Sequence, residues 1–279
     1  MRVLISADAE GVTGITDTRE LLIGRPYFEF MRTMMTDDVN AAVEGAFAGG
    51  ATSVVVNDGH WTMTNIQIER LDPRAELIKG FHKHLCMVEG VQDADAVFFL
   101  GYHARTGDSD GVGNETILGR EIVEIRMNGV PVGESEINAA VCGEFGAPVV
   151  FASGDDLYER ELRQTLPDVE FGLTKYALDR WTARLLSPER SHANIRAAAQ
   201  RAVERARAGE FHPYRNDGPT TLSVTFSSTA EALMAALVPG SVRATPRTVM
   251  YSANNAIDAW KAFFAILLLG WTATDEVYG

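Results

Sequence analysis

Four short apolar runs, each stopping at a polar or glycine-containing tip, constrain this chain more than any other feature of its 279 residues. They are Val3-Leu4-Ile5-Ser6-Ala7, Ser53-Val54-Val55-Val56, Ala96-Val97-Phe98-Phe99-Leu100 and Pro148-Val149-Val150-Phe151-Ala152. Runs this short, with little polar alternation, read as strands buried on both faces. A helical pattern from about Tyr27 to Phe47, stopped by Gly49-Gly50, separates the first two. Strands of this kind alternating with helices predict an α/β fold, a mostly parallel sheet flanked by helices.

The rest of the chain reads differently. Glu121 to Met127, Asn128-Gly129 and Val130-Pro131-Val132 form a hairpin pattern, because Asn-Gly suits a tight turn with positive φ. Glu134 to Phe145 is helical in character. Pro188 to Ala208 reads as one long helix, followed by a loop marked by His212-Pro213 and Gly218-Pro219. An alternating strand (Thr221 to Phe226), a helix (Ala230 to Leu237), short strands near Val242 and Val249, and a helix (Ala256 to Leu269) predict a smaller C-terminal α+β domain. The boundary is expected within 187–215, with 1–195 as the α/β metal-binding catalytic domain and 196–279 as the smaller one.

Composition removes several function classes. The formal net charge of −13 disfavours polyanionic partners, so neither nucleic acid nor an anionic membrane surface is expected as a partner. Two cysteines, Cys86 and Cys142, cannot build a disulfide framework in a chain this long. The N-terminal stretch turns acidic at Asp8, too soon for a signal peptide, and the apolar run Ala262 to Leu269 is too short to span a bilayer. A soluble, cytoplasmic setting is the expectation.

In an open parallel sheet the ligand crevice lies beyond the carboxyl ends of the strands. The first strand is followed by Asp8-Ala9-Glu10-Gly11, the second by Asn57-Asp58-Gly59-His60, and the third by Gly101-Tyr102-His103. Glu134 follows Gly133 at a helix start. Asp8 and Glu10, two apart, point to one side of an extended backbone and repel each other unless a cation or proton intervenes. With two imidazoles added, the set has the donor chemistry of a Zn²⁺ site. Five ligands exceed one tetrahedral zinc with an open position; with one bridging carboxylate they suit two metals roughly 3.5–4 Å apart. Taken singly, each residue has an ordinary reading: a turn carboxylate, a solvated charge, a loop histidine, or an acid complementing a helix dipole. Their coincidence at crevice positions points to a metal centre. His82, His84, His192 and His212 are expected to be surface groups, and Cys142 a buried structural thiol.

The blocks Ile5-Ser6-Ala7-Asp8-Ala9-Glu10-Gly11, Val56-Asn57-Asp58-Gly59-His60 and Phe99-Leu100-Gly101-Tyr102-His103-Ala104-Arg105 resemble the zinc-dependent D-aminopeptidase family. Met87-Val88-Glu89-Gly90, Pro131-Val132-Gly133-Glu134 with Asn138, and Ala152-Ser153-Gly154-Asp155-Asp156 fit it too. The resemblance implies two zinc ions per chain, with Asp8 bridging, Glu10 and His60 completing one, and His103 and Glu134 the other. It also implies a homo-oligomer, a ring-built decamer enclosing a chamber. One position departs: where the family pattern G-V-x-x-H-[ST] carries a catalytic histidine, Gly111-Val112-Gly113-Asn114-Glu115-Thr116 places Glu115. The expected function is a dinuclear zinc metallohydrolase of the aminopeptidase type, cleaving an amide bond in a small peptide or amino-acid amide. Glu115, or Asn114 as an orienting hydrogen-bond donor, would assist proton delivery to the leaving amine, and Glu89 and Asp58 would offer an acidic neighbourhood for a substrate ammonium. Hydrolysis of an amino-acid amide or cyclic amide on the same fold is the enzymatic alternative, and a non-catalytic metal- or ligand-binding module the other.

Overall fold

The computed structural model describes residues 1–107, 109–216 and 218–274. The chain begins with β1 (Arg2–Ala7), a short helix α1 (Thr18–Leu21) and the long helix α2 (Phe28–Ala48), then β2 (Ser53–Asp58), β3 (Ala75–Ile78) and β4 (Ala96–Leu100). A hairpin, β5 (Ile122–Met127) and β6 (Val130–Pro131), precedes α3 (Glu134–Glu144), β7 (Val149–Asp155) and α4 (Asp156–Thr165). Next come β8 (Glu170–Asp179), β9 (Thr182–Leu185) and α5 (Pro188–Arg207). The chain continues through β10 (Thr220–Phe226), α6 (Thr229–Ala235), β11 (Val242–Arg243), β12 (Thr248–Ala253) and α7 (Ala256–Trp271).

The larger sheet has the order β3-β2-β1-β4-β7-β8-β9 and is parallel except at the β8–β9 pair. From β1 the chain moves to one side for β2 and β3, then crosses to the other side for β4. The switch point therefore lies between β1 and β4, where a doubly wound sheet opens its crevice. Register keeps the tips level: Ala7 pairs with both Asp58 and Leu100.

Alternate residues of the buried strands feed opposite cores, as the period of two requires. Val3, Ile5, Phe98 and Phe151 pack under α2 and α5 against Val39, Val43, Ile195 and Ala202. Leu4, Val97 and Phe99 face the other way, into a core shared with α3 and the second sheet. The α2–α5 crossing depends on Gly45 and Gly49, because a Cβ at either would run into the α5 backbone at Arg196 or Gln200.

The second sheet, order β11-β12-β10-β5-β6, is antiparallel and is backed by α6 and α7 through Leu222, Val224, Phe226, Trp260 and Phe263. Its strands come from two stretches of sequence, since the 122–131 hairpin joins β10 with Met127 opposite Leu222. Residue 195, the expected division, lies within α5, which packs on α2 and β8. β3, β8 and β9 have no counterpart in the sequence expectation; β8 is half-buried over much of its length and mixes Glu170, Lys175 and Asp179 with apolar residues. Among the described residues no helix is long and apolar enough to cross a membrane.

Candidate metal centre

The tips of β1, β2 and β4 are laced together through the backbone before any side chain is considered. Asp8 N–H donates to the Leu100 carbonyl at 2.8 Å, Gly11 N–H to the Gly101 carbonyl at 2.8 Å, and Gly59 N–H to the Ala7 carbonyl at 2.7 Å. Gly11 has to be glycine, because a Cβ there would overlap the Tyr102 carbonyl oxygen. That close approach sets the loop bearing Asp8 and Glu10 against the loop bearing His103.

All five residues expected as ligands converge and are buried. His60 Nδ1 lies 3.2 Å from Asp8 Oδ1 and 3.3 Å from Glu10 Oε2. His103 Nε2 lies 3.2 Å from Asp8 Oδ2 and 3.2 Å from Glu134 Oε1. Asp8 thus turns one oxygen toward each histidine. Ligand atoms of Asp8, Glu10 and His103, and likewise of His103, Glu115 and Glu134, lie within 4.8 Å of one another.

The hydrogen bonds behind the imidazoles decide which nitrogen is free. His103 Nδ1 is 3.0 Å from the Ala104 carbonyl, and His60 Nε2 is 3.3 Å from the Leu21 carbonyl. A carbonyl only accepts, so each of these nitrogens carries the proton. In the neutral ring the nitrogen facing the carboxylates then presents a lone pair, the orientation that a metal-binding histidine needs. Asp8 Oδ2, Glu10 Oε2, His103 Nε2 and Glu115 Oε2 are buried and lack hydrogen-bond partners. Buried polar atoms left without partners would cost several kcal/mol in total. Divalent cations would satisfy them, and the mixed imidazole and carboxylate donor set fits zinc.

The electrostatics agree. Burial opposes charge on both imidazoles, yet Glu10 with Asp8 around His60, and Glu134 with Asp8 around His103, outweigh it and hold both rings well above the usual imidazole range. Burial raises the Asp8 carboxyl, but the adjoining imidazoles of His103 and His60 reverse this and hold it below the ordinary carboxylate range. Burial pushes Glu134 up to about 7 against the opposing pull of His103. Glu115 is driven well above the usual carboxylate range by burial, then by Glu134. The cluster is rich in negative charge.

Glu115 reaches the cluster from the loop after β4, its Oε1 3.9 Å from His103 Nε2. That loop is tied down by Val112 N–H on Asp155 Oδ2 (2.7 Å), Gly113 N–H on the Arg180 carbonyl (2.8 Å) and Glu115 N–H on the Ala104 carbonyl (3.2 Å). Asn114 is not brought to the cluster in the same way; its side-chain amide donates to the Ser109 carbonyl and closes the loop on itself. The acidic neighbourhood expected for an ammonium is otherwise engaged. Asp58 accepts from Asn65 N–H, Asn65 Nδ2 and Ile66 N–H, and Glu89 accepts from Leu85 N–H, so both carboxylates brace loops. His82, His84 and His212 are exposed as expected. His192, by contrast, lies half-buried with Nε2 3.1 Å from Asp38 Oδ1.

Two supports were invisible in the sequence. Ile117 N–H donates to Glu134 Oε2 at 2.9 Å, with Ile117 at φ 65°, a strained conformation for a β-branched residue that turns its amide onto the carboxylate. Lys175, on β8, binds three carbonyls of the β1 loop.

Comparison with known proteins follows the same lines. The sequence profile of the D-aminopeptidase family matches residues 1–265. A D-aminopeptidase of Bacillus subtilis (strain 168) is 31% identical over 268 residues, covering 95% of this chain and 96% of that protein. The solved structure of the zinc-dependent D-aminopeptidase DppA from Bacillus subtilis, a self-compartmentalizing protease, superposes with a TM-score of 0.91 at 30% identity, covering 99% of this chain and 100% of that one.

Proposed function

Because the chain belongs to the D-aminopeptidase family, we propose that it is a zinc-dependent aminopeptidase holding two cations per chain, Asp8 shared between them. Glu10 and His60 would complete one site, His103 and Glu134 the other. The observation that carries this reading is the set of buried, unpartnered atoms, Asp8 Oδ2, Glu10 Oε2 and His103 Nε2, converging at the switch point of the sheet. When bound, the cations supply Lewis acidity toward the scissile carbonyl and a water acidified toward neutral pH.

The chain's own groups do the rest. Asp8, Glu10 and Glu134 give three negative charges, which two divalent ions exceed by one. A protonated Glu115 leaves that balance unchanged, as the neutral imidazole of the family pattern would; an ionised one cancels it. Burial and the neighbouring Glu134 push the Glu115 carboxyl above the ordinary carboxylate range, the direction that a donor of a proton to the departing amine needs. Ile117 N–H and the Ala104 and Leu21 carbonyls fix Glu134, His103 and His60 so that their free atoms face the cluster. The substrate is a small peptide or amino-acid amide with a D-residue at its amino end. A second reading, an amino-acid amide or cyclic amide hydrolase, is favoured by one observation: the carboxylate of Glu115 where the family pattern has histidine. From the self-compartmentalizing relative we extend the proposal to a homo-oligomer, a decamer around a chamber, with a mass about ten times 30.4 kDa by light scattering.

The test is turnover of matched D- and L-aminoacyl amides, dipeptides and lactams before and after chelation. Release of D-residues, abolished by chelator and restored by zinc, is expected. Undiminished turnover in the metal-stripped protein, or no turnover of any aminoacyl substrate, would overturn the reading.

A further inference from the structure

We propose that Lys175 is a positioning residue: its ammonium, locked beneath the β1 loop, sets the backbone from which Glu10 reaches the metal centre and so controls one of the two cation sites. The inference rests on the two-site reading above. Lys175 is fully buried, and its Nζ lies 2.6 Å from the Glu10 carbonyl, 2.9 Å from the Val12 carbonyl and 2.6 Å from the Ile15 carbonyl. All three N–H bonds are thereby used, and among the described residues no carboxylate oxygen lies within 4.0 Å of the ammonium. A buried cation without an ion-pair partner is an expensive placement. Burial brings its pKa down to about 8, and the more distant charges of Asp155, Asp38 and Glu10 keep it from falling further.

The carbonyls explain the placement. Three C=O groups within six residues point at one spot, a geometry that repels itself unless a cation sits at the focus. The same loop is held from other sides by Thr174 Oγ1 on the Gly11 carbonyl (2.7 Å) and by Asp38 on Thr13 N–H (2.9 Å). Glu10 is the ligand most exposed to this device, because its own carbonyl is one of the three. Asp8 is fixed instead by the β-pairing of the adjoining Ala7 and by its own N–H on the Leu100 carbonyl, while His103 and Glu134 sit on other elements. The effect of Lys175 should therefore fall on the Glu10–His60 side alone.

The experiment is a zinc competition titration of the intact protein and of Lys175→Met, Lys175→Arg and His60→Ala, paired with hydrogen exchange of the metal-free forms. Expected in Lys175→Met is a weakening of at least tenfold in the binding step that His60→Ala also removes, with the other step within twofold. Lys175→Arg, which keeps the charge, should recover at least half of that loss on a logarithmic scale. In the metal-free Lys175→Met protein, exchange should speed up at the amides of 11–16 and stay unchanged in β4. Both steps weakening in parallel, or neither changing, would overturn the positioning role while leaving the two-site reading intact; a wild-type chain that binds no zinc would sink both. If Lys175→Met does not fold, the arginine variant decides alone: equal weakening of the two steps refutes the proposal, and weakening confined to the His60 step supports it.

Discussion

Replacing Glu115 by glutamine removes a proton and almost no volume. The side chain is half-buried, its buried Oε2 has no hydrogen-bond partner among the described residues, and Oε1 lies 3.9 Å from His103 Nε2, so the carboxyl reaches the cluster. Since burial and Glu134 already favour its neutral form, Glu115→Gln should cost little stability and leave the zinc content unchanged. What it loses is the proton for the leaving amine. Positioned general acids contribute about 10²–10⁴-fold, which at about 1.4 kcal/mol per tenfold is about 3–5.5 kcal/mol of transition-state stabilisation. The loss should depend on the leaving group: about 10²–10⁴-fold in kcat for an aliphatic aminoacyl amide, and less than about tenfold for an activated ester, whose departing oxyanion needs no proton. Glu115→His, which restores the family pattern, should retain amide turnover. Equal losses on both substrates, or kcat within threefold of wild type on the amide, would refute the proton-donor role.

Three further outcomes are expected. Asp8→Ala, which removes the carboxylate facing both histidines, should abolish zinc binding and turnover together, measured by metal analysis and amide hydrolysis on the same preparation. Gly11→Ala forces a Cβ into the Tyr102 carbonyl and should lower unfolding stability by at least about 2 kcal/mol in denaturant titration; a change under about 0.5 kcal/mol would show that the two loops separate freely. His192, raised above the usual imidazole range by the Asp38 carboxylate 3.1 Å from its Nε2 and only half-buried, should add a salt-sensitive amount below about 1 kcal/mol. Because the folded pKa is the higher one, that increment is present at pH values below the ordinary imidazole range and disappears as pH rises through the raised value. His192→Gln should therefore be less stable than wild type near pH 6 and indistinguishable near pH 9, by thermal unfolding.

The sheet was legible because each of its central strands is buried on both faces and therefore written as an unbroken apolar run. Once those runs are parallel, chain direction alone puts Asp8, His60 and His103 at one edge, and a helix starting after Gly133 brings Glu134 to the same end. β8 was not legible, because its half-buried flanks break the apolar pattern and Lys175, its most buried charge, answers to backbone carbonyls that carry no residue identity. The hairpin's place in the second sheet was hidden for a related reason: Met127 finds Leu222 across a separation that no local pattern encodes. Asp58 and Glu89 misled because a carboxylate that receives a substrate and one that braces a turn look alike in sequence; only the amides of Asn65, Ile66 and Leu85 tell them apart. The reach of Glu115 depends on a loop tied to Asp155 and Arg180, residues from two other strand ends.

Zinc counted per chain, by elemental analysis of the purified protein after exhaustive dialysis, tests the centre most directly. The arrangement of Asp8 between His60 and His103 predicts close to two for the wild type and one each for His60→Ala and His103→Ala. A wild-type value near zero, or a value of one that neither histidine substitution changes, would contradict it.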